Sequence, residues 1–305
     1  MKNILFIVSD GVGNQICTIP AFLACRRKHP RSKITVYNIL PTNAEATKII
    51  YGKIADDVLI YGKDRVNRNL YIGQYIMYPM IHKVSSLRIL NATMIKQSDV
   101  LDVSEVTTNI RAVLRSGDRE CIEIARTAFD HIARRNHVPD ILLHDGYSKN
   151  SKKAEYRWTV KSFPHYQKVA ERLKKSGYTV GSIGAKSEYI KGTVDCTGLS
   201  LTKTISTIKG TKLLIANDTS TYHLANLLKK KNIVLFTCTS IAKNFHAEFH
   251  KYSTVMRRED LECSPCHVKG KEAFYWLKNK EMCQWKCRQI PSRSVVRKAV
   301  ELLGG

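Results

Sequence analysis

No apolar run in these 305 residues approaches the length that crosses a bilayer, and the N-terminal apolar stretch bracketed by Lys2 and Asp10 is too short for a secretory leader. We therefore expect a cytoplasmic protein. Acidic residues are scarce: 26 Asp and Glu face 50 Lys and Arg, a net charge of +24. That excess is far beyond what solubility requires, so an anionic partner is expected. The nine cysteines are odd in number, and several stand singly in apolar contexts (Cys17, Cys25, Cys121), which argues against a disulfide framework and for a reducing compartment. Neither a repeat of solenoid length nor a low-complexity tract occurs, which excludes solenoid and largely disordered architectures.

What the chain does have is an ordinary apolar fraction, 43%, and enough length for two domains with separate cores. Within residues 2–9, Ile4 to Val8 are continuously apolar without alternation, as a parallel strand buried on both faces requires. A glycine turn follows, then helical spacing over 15–28 and further strands over 34–37 and 58–61. This β-α-β rhythm predicts a parallel sheet with crossover helices. Helices are expected over 104–114 and 119–135. After Pro139 a second series begins, with strands over 141–143, 178–183, 213–215 and 233–236, and a final helix over 292–303. The lysine-rich segment 147–155 reads as a loop at the mouth of the second sheet. Basic clusters recur along the chain, among them Arg26-Arg27-Lys28, Arg134-Arg135 and Lys229-Lys230-Lys231.

The most informative segment is Ala216-Asn217-Asp218-Thr219-Ser220-Thr221-Tyr222-His223, followed by the apolar strand Ile233-Val234-Leu235-Phe236. A strand ending in small hydroxyl and carboxylate residues predicts a helix over 221–228, capped by Asp218 or Thr219. Its first N–H groups would suit a phosphate. An ordinary capped helix accounts for Asp218 and Thr219 equally well, but not for His223 one turn on. The segment resembles the nucleotide-sugar motif of glycosyltransferase family nine, the ADP-heptose:lipopolysaccharide heptosyltransferases, in which Asn-Asp-Thr-Gly-Pro-x-His-Leu-Ala is typical. The family's Gly-Pro is Ser220-Thr221 here. Two further stretches carry the resemblance: Ile4 to Ala21 with Gly11, Gly13 and Asn14, and Trp158 to Val169 followed by Gly184 and Gly198.

The resemblance implies a GT-B architecture, two Rossmann-like domains facing across a cleft. We place the N-terminal acceptor domain at 1–138 and the nucleotide-sugar domain at 139–290. The terminal helix, 291–305, is expected to cross back to the first domain. It also implies a nucleotide-diphosphate sugar donor held by Asp218, Thr219, Ser220, Thr221 and His223, with Glu188 matching the family's ribose-binding glutamate and Arg157 standing nearest to its phosphate-binding lysine. Gly13 would let backbone approach the ligand. The family carries an aspartate base where this chain has Asn14. An amide can only orient the acceptor hydroxyl, so Asp10, at the same strand end, becomes the candidate base. A turn-forming aspartate is the alternative.

No Asp-x-Asp pair is present, so no catalytic metal is expected. Stabilisation of the leaving diphosphate would fall to hydroxyls, a helix N-terminus and a cation. Cys263, Cys266, Cys283 and Cys287 form two close doublets whose spacing would suit a structural zinc; packing thiols are the alternative. On charge we expect an inverting glycosyltransferase acting on a polyanion, DNA with a hydroxylated base ahead of the lipopolysaccharide inner core. Tyr71, Tyr75, Tyr78 or Trp158 would stack on a flipped base. Heptosyl transfer to the lipopolysaccharide core is the alternative, and a nonenzymatic nucleic-acid-binding protein on the same fold is the third reading.

Overall fold

The computed structural model describes residues 3–8, 11–38, 43–64, 73–77, 119–146, 161–261 and 284–304. They divide into two compact units, Met1–His131 and Ile132–Gly305. Sequence reading puts the junction at 138. Residues 132–135 are already tied to the second unit, because Lys209 Nζ donates to the Ile132 carbonyl and Ser206 Oγ to the Ala133 carbonyl, both at 2.7 Å.

The first unit contains β1 (Asn3–Val8), α1 (Val12–Lys28), β2 (Lys33–Asn38), α2 (Ala44–Tyr51), β3 (Asp57–Ile60), β4 (Gly73–Met77) and α3 (Arg119–Ala125). Its sheet is parallel throughout, in the order β3-β2-β1-β4. β1 is an inner strand, and Ile4 to Val8 are all buried, which explains why its apolar run does not alternate. Phe22 of α1 meets Phe6 edge-on at 5.2 Å and Tyr51 at 5.7 Å. Beneath these rings lies a buried polar network. Thr47 Oγ1 donates to Gln15 Oε1 at 2.9 Å, Asn38 Nδ2 donates to Thr47 Oγ1 at 2.7 Å, and the Tyr51 hydroxyl, also bonded to Thr18, donates to the Gln15 carbonyl at 3.0 Å.

The helix expected over 119–135 stops at Ala125. Beyond it the chain tightens into i→i+3 turns, with Thr127 N–H and its hydroxyl both on the Ile124 carbonyl at 2.9 and 2.7 Å. A threonine hydroxyl that takes a backbone carbonyl competes with helix continuation. The helix expected over 104–114 and the loop over 147–155 lie outside the described residues, as do Tyr71, Tyr78 and Trp158.

The second unit contains β5 (Ile141–His144), α4 (Tyr166–Lys175), β6 (Val180–Gly184), a 3-10 turn (Lys186–Glu188), β7 (Val194–Thr197), α5 (Leu201–Gly210), β8 (Leu213–Asn217), α6 (Ser220–Leu227), β9 (Asn232–Leu235), α7 (Ile241–Asn244), β10 (Ser253–Met256) and α8 (Ser292–Leu303). Six parallel strands run in the order β10-β9-β8-β5-β6-β7. The chain builds outward from β5 through β6 and β7, then returns to the other side of β5 for β8, β9 and β10. β5 and β8 thus flank the topological switch point, where connections leave in opposite directions and a crevice opens at the carboxyl ends. The core joins Ile141, Leu143, Leu213, Ile215, Ile233 and Leu235 of the sheet to Val169, Ala170 and Leu173 of α4. The apolar face expected to carry the terminal helix to the first unit, Val295 and Ala299, is buried in this same core.

Tyr51→Phe leaves the ring packing in place and removes a fully buried hydroxyl from the Gln15 network. We expect it to lower stability by about 1 kcal/mol, the usual net worth of a hydrogen bond. Chemical denaturation measures the difference.

Candidate functional site

β5 and β8 run side by side, with His144 opposite Ala216 in the register. Their carboxyl ends therefore deliver His144, Asn217 and the following Asp218 and Thr219 to one place. The Asn217 carboxamide joins the strands, donating to the Gly146 carbonyl at 3.2 Å and accepting from the buried Tyr166 hydroxyl at 3.0 Å. Burial of the Tyr166 ring, with Asp145 and Glu188 nearby, raises its phenol well above the ordinary range.

His144 is the hub, and the sequence reading missed it. Its Nε2 lies 3.2 Å from Glu188 Oε2, and its Nδ1 lies 2.7 Å from Thr221 Oγ1 and 3.0 Å from Thr219 Oγ1. A carboxylate can only accept, so in the neutral ring the proton sits on Nε2 and Nδ1 receives a threonine hydroxyl. Glu188 Oε2 also accepts the Ala185 N–H at 2.8 Å. Two glycines make room for the ring: a Cβ on Gly146 would fall on the imidazole, and one on Gly184, at φ +129°, would fall on Glu188 Oε2 and 2.6 Å from His144 Cδ2.

The caps expected from Asp218 and Thr219 do not form. Thr219 holds the N-cap position of α6 with extended backbone, but its side chain makes no capping bond and turns to His144 instead. Asp218 is buried, and its Oδ2 accepts from Asn244 Nδ2 at 2.7 Å. Lys161 Nζ stands 3.8 Å from the same oxygen. This lysine lies three residues after Trp158; Arg157, the residue expected nearest the phosphate, lies outside the described residues.

His223 is buried one turn into α6, with Nε2 3.9 Å from Asp218 Oδ1 and Nδ1 2.9 Å from His250 Nε2. Burial is the largest influence on it. With Lys161 acting in the same direction and Asp218 opposing, its imidazole is pushed down to about 4. Ser220 and Thr221 complete the first turn of α6, Ser220 half-buried and Thr221 buried.

The structure thus brings together Glu188, Asp218, Thr219, Ser220, Thr221 and His223 from the expected set, and adds His144, Lys161 and Asn244. A strand-end histidine with a glycine two residues on, His144-Asp145-Gly146, was the available signal for the hub. Gly13 and Asn14 lie in the first turn of α1 in the other unit. There, Gly11 has φ −66° and a Cβ on it would meet nothing within 4 Å, so the turn itself does not demand glycine. Asp10, Cys263, Cys266 and Cys283 lie outside the described residues. Cys287 is a buried thiol packed with Cys238, Leu261 and Trp285, and no cluster of three metal-ligating side chains occurs among the described residues.

Two measurements test this geometry. Between about pH 6.5 and 4 the unfolded chain takes up a proton that folded His223 refuses. The stability it contributes is therefore present above pH 6.5 and lost as pH falls through 4, by up to about 3 kcal/mol. His223→Gln should flatten the pH dependence of the unfolding free energy in that window. Gly184→Ala should cost about 2 kcal/mol through its positive φ and the displaced Glu188, read as a lower melting temperature.

The profile of glycosyltransferase family 9 (heptosyltransferase) matches residues 126–276, which contain every strand from β5 to β10. No curated protein matches the chain in sequence. Among solved structures, a family 9 glycosyl transferase from Veillonella parvula DSM 2008 superposes with a TM-score of 0.64 at 14% identity, covering 99% of this chain and 97% of its own. E. coli ADP-heptose lps heptosyltransferase II gives 0.57 at 15% identity over 88% and 96%. E. coli heptosyltransferase WaaC with ADP gives 0.55 at 12% over 92% and 99%. At such identities the likeness is one of fold. The family profile thus spans the switch-point site and every strand of its sheet, so residues 126–276 form a glycosyltransferase family 9 domain, and both parallel sheets match GT-B structures in fold.

Proposed function

We propose that the protein transfers a sugar, a heptose in the first instance, from an ADP-activated donor to a phosphorylated lipopolysaccharide-core saccharide. The observation that carries this reading is the convergence of His144, Asp218, Thr219, Thr221 and His223 on the start of α6 at the switch point of a family 9 domain. Helix N–H groups, threonine hydroxyls and the His223 ring would receive the diphosphate. Asp218 opposes an anion. Lys161 at 3.8 Å and Asn244 at 2.7 Å offset its charge, and the lysine would turn toward the leaving group as charge develops there. The solved neighbours described as heptosyltransferases support the donor and acceptor classes. The chemistry needs a base for the acceptor hydroxyl. Asp10, two residues beyond β1 in the sequence, takes that role, with Asn14 orienting the hydroxyl.

The net charge of +24, which favours DNA in the sequence reading, suits a phosphorylated saccharide equally well. No finding favours a DNA acceptor over the family's own substrate class. No helix among the described residues is long and apolar enough to cross a membrane. A lipid-linked acceptor would therefore be reached from the leaflet surface, where basic side chains are attracted to anionic headgroups.

Labelled ADP-heptose supplied with lipid-A-linked core and, separately, with hydroxymethylated duplex DNA should label the saccharide alone. Label on DNA alone would overturn the acceptor. His223→Ala is expected to weaken donor binding by roughly ten- to a hundredfold, the range for a hydrogen bond to a charged group; Asp218→Ala is expected to weaken it less, through loss of the anchor that holds Asn244 and Lys161 at the site. Asp10→Asn should keep donor affinity and abolish turnover; turnover at the wild-type rate would remove it as the base.

A further inference from the structure

His250 is fully buried and lies outside every motif noted in the sequence. Its ring is stacked between Tyr222, at 4.5 Å and 19°, and Phe245, at 5.3 Å and 22°, with Phe249 edge-on at 4.8 Å. The Tyr222 hydroxyl is itself anchored to the Asn244 carbonyl at 2.6 Å. The ring is thus clamped in one orientation. In that orientation the backbone N–H of His246 points at His250 Nδ1 from 2.9 Å. A backbone N–H can only donate, so Nδ1 must be the bare nitrogen and the ring proton must sit on Nε2. That proton is directed at His223 Nδ1, 2.9 Å away, which must accept it. His223 then carries its own proton on Nε2, the nitrogen turned toward Asp218. At 3.9 Å the Asp218 oxygen is beyond hydrogen-bond reach.

We propose that His250 is a positioning residue that locks His223 as the Nε2–H tautomer, so that a neutral, pre-aimed N–H donor faces the donor diphosphate. This rests on the donor-site reading above. The device matters because a buried neutral imidazole has two tautomers, and only one presents a donor to the ligand. The other would meet phosphate oxygen with a lone pair. Fixing the tautomer from behind removes that misfit without a charge in the core. The charged groups that act on His223 are Asp218 and Lys161. His246, on the His250 side, contributes its backbone N–H to His250, while its ring Nδ1 accepts from Glu248 N–H at 3.2 Å.

Long-range proton–nitrogen spectra of the histidine side chains in the full-length protein, assigned through His223→Gln, should show His223 protonated at Nε2 and bare at Nδ1. His250→Phe keeps an aromatic ring between Tyr222 and Phe245 but loses both hydrogen bonds. It is expected to mix the His223 tautomers and weaken ADP binding about tenfold by calorimetry, the size of one hydrogen bond. His250→Gln, whose amide restores a donor near the Nε2 position, should recover most of that loss; a packing role alone would favour the phenylalanine. His223 protonated at Nδ1 in the wild type overturns the tautomer. Wild-type ADP affinity in His250→Phe overturns the positioning role, and should that variant not fold, failure of His250→Gln to bind ADP better than His223→Gln does so. ADP affinity unmoved by His223→Gln instead overturns the donor-site reading, leaving the tautomer still readable from the ligand-free spectrum.

Discussion

Burial of polar side chains at the switch point between β5 and β8 is the constraint from which the site follows. His144, Asn217, Asp218, Thr221 and His223 are each less than a tenth exposed, so each must find its partners inside the protein. They do so reciprocally. Glu188 holds His144, His144 holds two threonines, Asn217 bridges to Tyr166 and Gly146, Asn244 holds Asp218, and His250 holds His223. Such a closed set has few alternative arrangements, because moving one member leaves another unsatisfied at a cost of about 1–3 kcal/mol. The geometry of the set is therefore fixed by the protein's own groups.

The same burial decides the electrostatics. The chain carries a large positive charge, yet the innermost groups of the site are neutral or mutually compensated: His223 is held deprotonated, and Asp218 faces Lys161 and Asn244. Surface cations act over about a Debye length and raise encounter rates with any polyanion. They do not distinguish a phosphorylated saccharide from a nucleic acid. Charge therefore reports the sign of the partner and not its identity, and gives no ground for setting DNA ahead of a phosphorylated saccharide.

Much of the fold was legible in the sequence because parallel strands buried on both faces leave continuous apolar runs, as at Ile4 to Val8 and Ile233 to Leu235. The edge strand β10, whose four residues are only partly buried, left no such run and was not foreseen. Glu188, Asp218, Thr219, Thr221 and His223 could be read from local motifs, since a strand end and the next helix start are adjacent in sequence as well as in space. His144, Lys161 and His250 could not. They reach the site from separate elements, 74, 57 and 32 residues from Asp218, and only the sheet order brings His144 beside Thr219. The helical pattern over 119–135 misled for a different reason: apolar spacing persists through Ile132, but Thr127 diverts the hydrogen bonds that would continue the helix.

The departure from the family motif at Ser220-Thr221 is best understood together with His144. Proline, the family's residue at the Thr221 position, would bring no hydroxyl, whereas Thr221 supplies the shortest of the bonds to the His144 ring, 2.7 Å. The opposite nitrogen of that ring is satisfied by Glu188, whose Oε2 also takes the Ala185 N–H. Threonine, histidine and glutamate therefore stand or fall as one linked set. A ribose hydroxyl reaching Glu188 would meet a carboxylate already bonded at one oxygen and held by a ring that cannot move without releasing Thr219 and Thr221. Glu188 and the start of α6 are in this way joined through one imidazole, so that in the proposed donor site the ribose and diphosphate ends would share His144 as their common support.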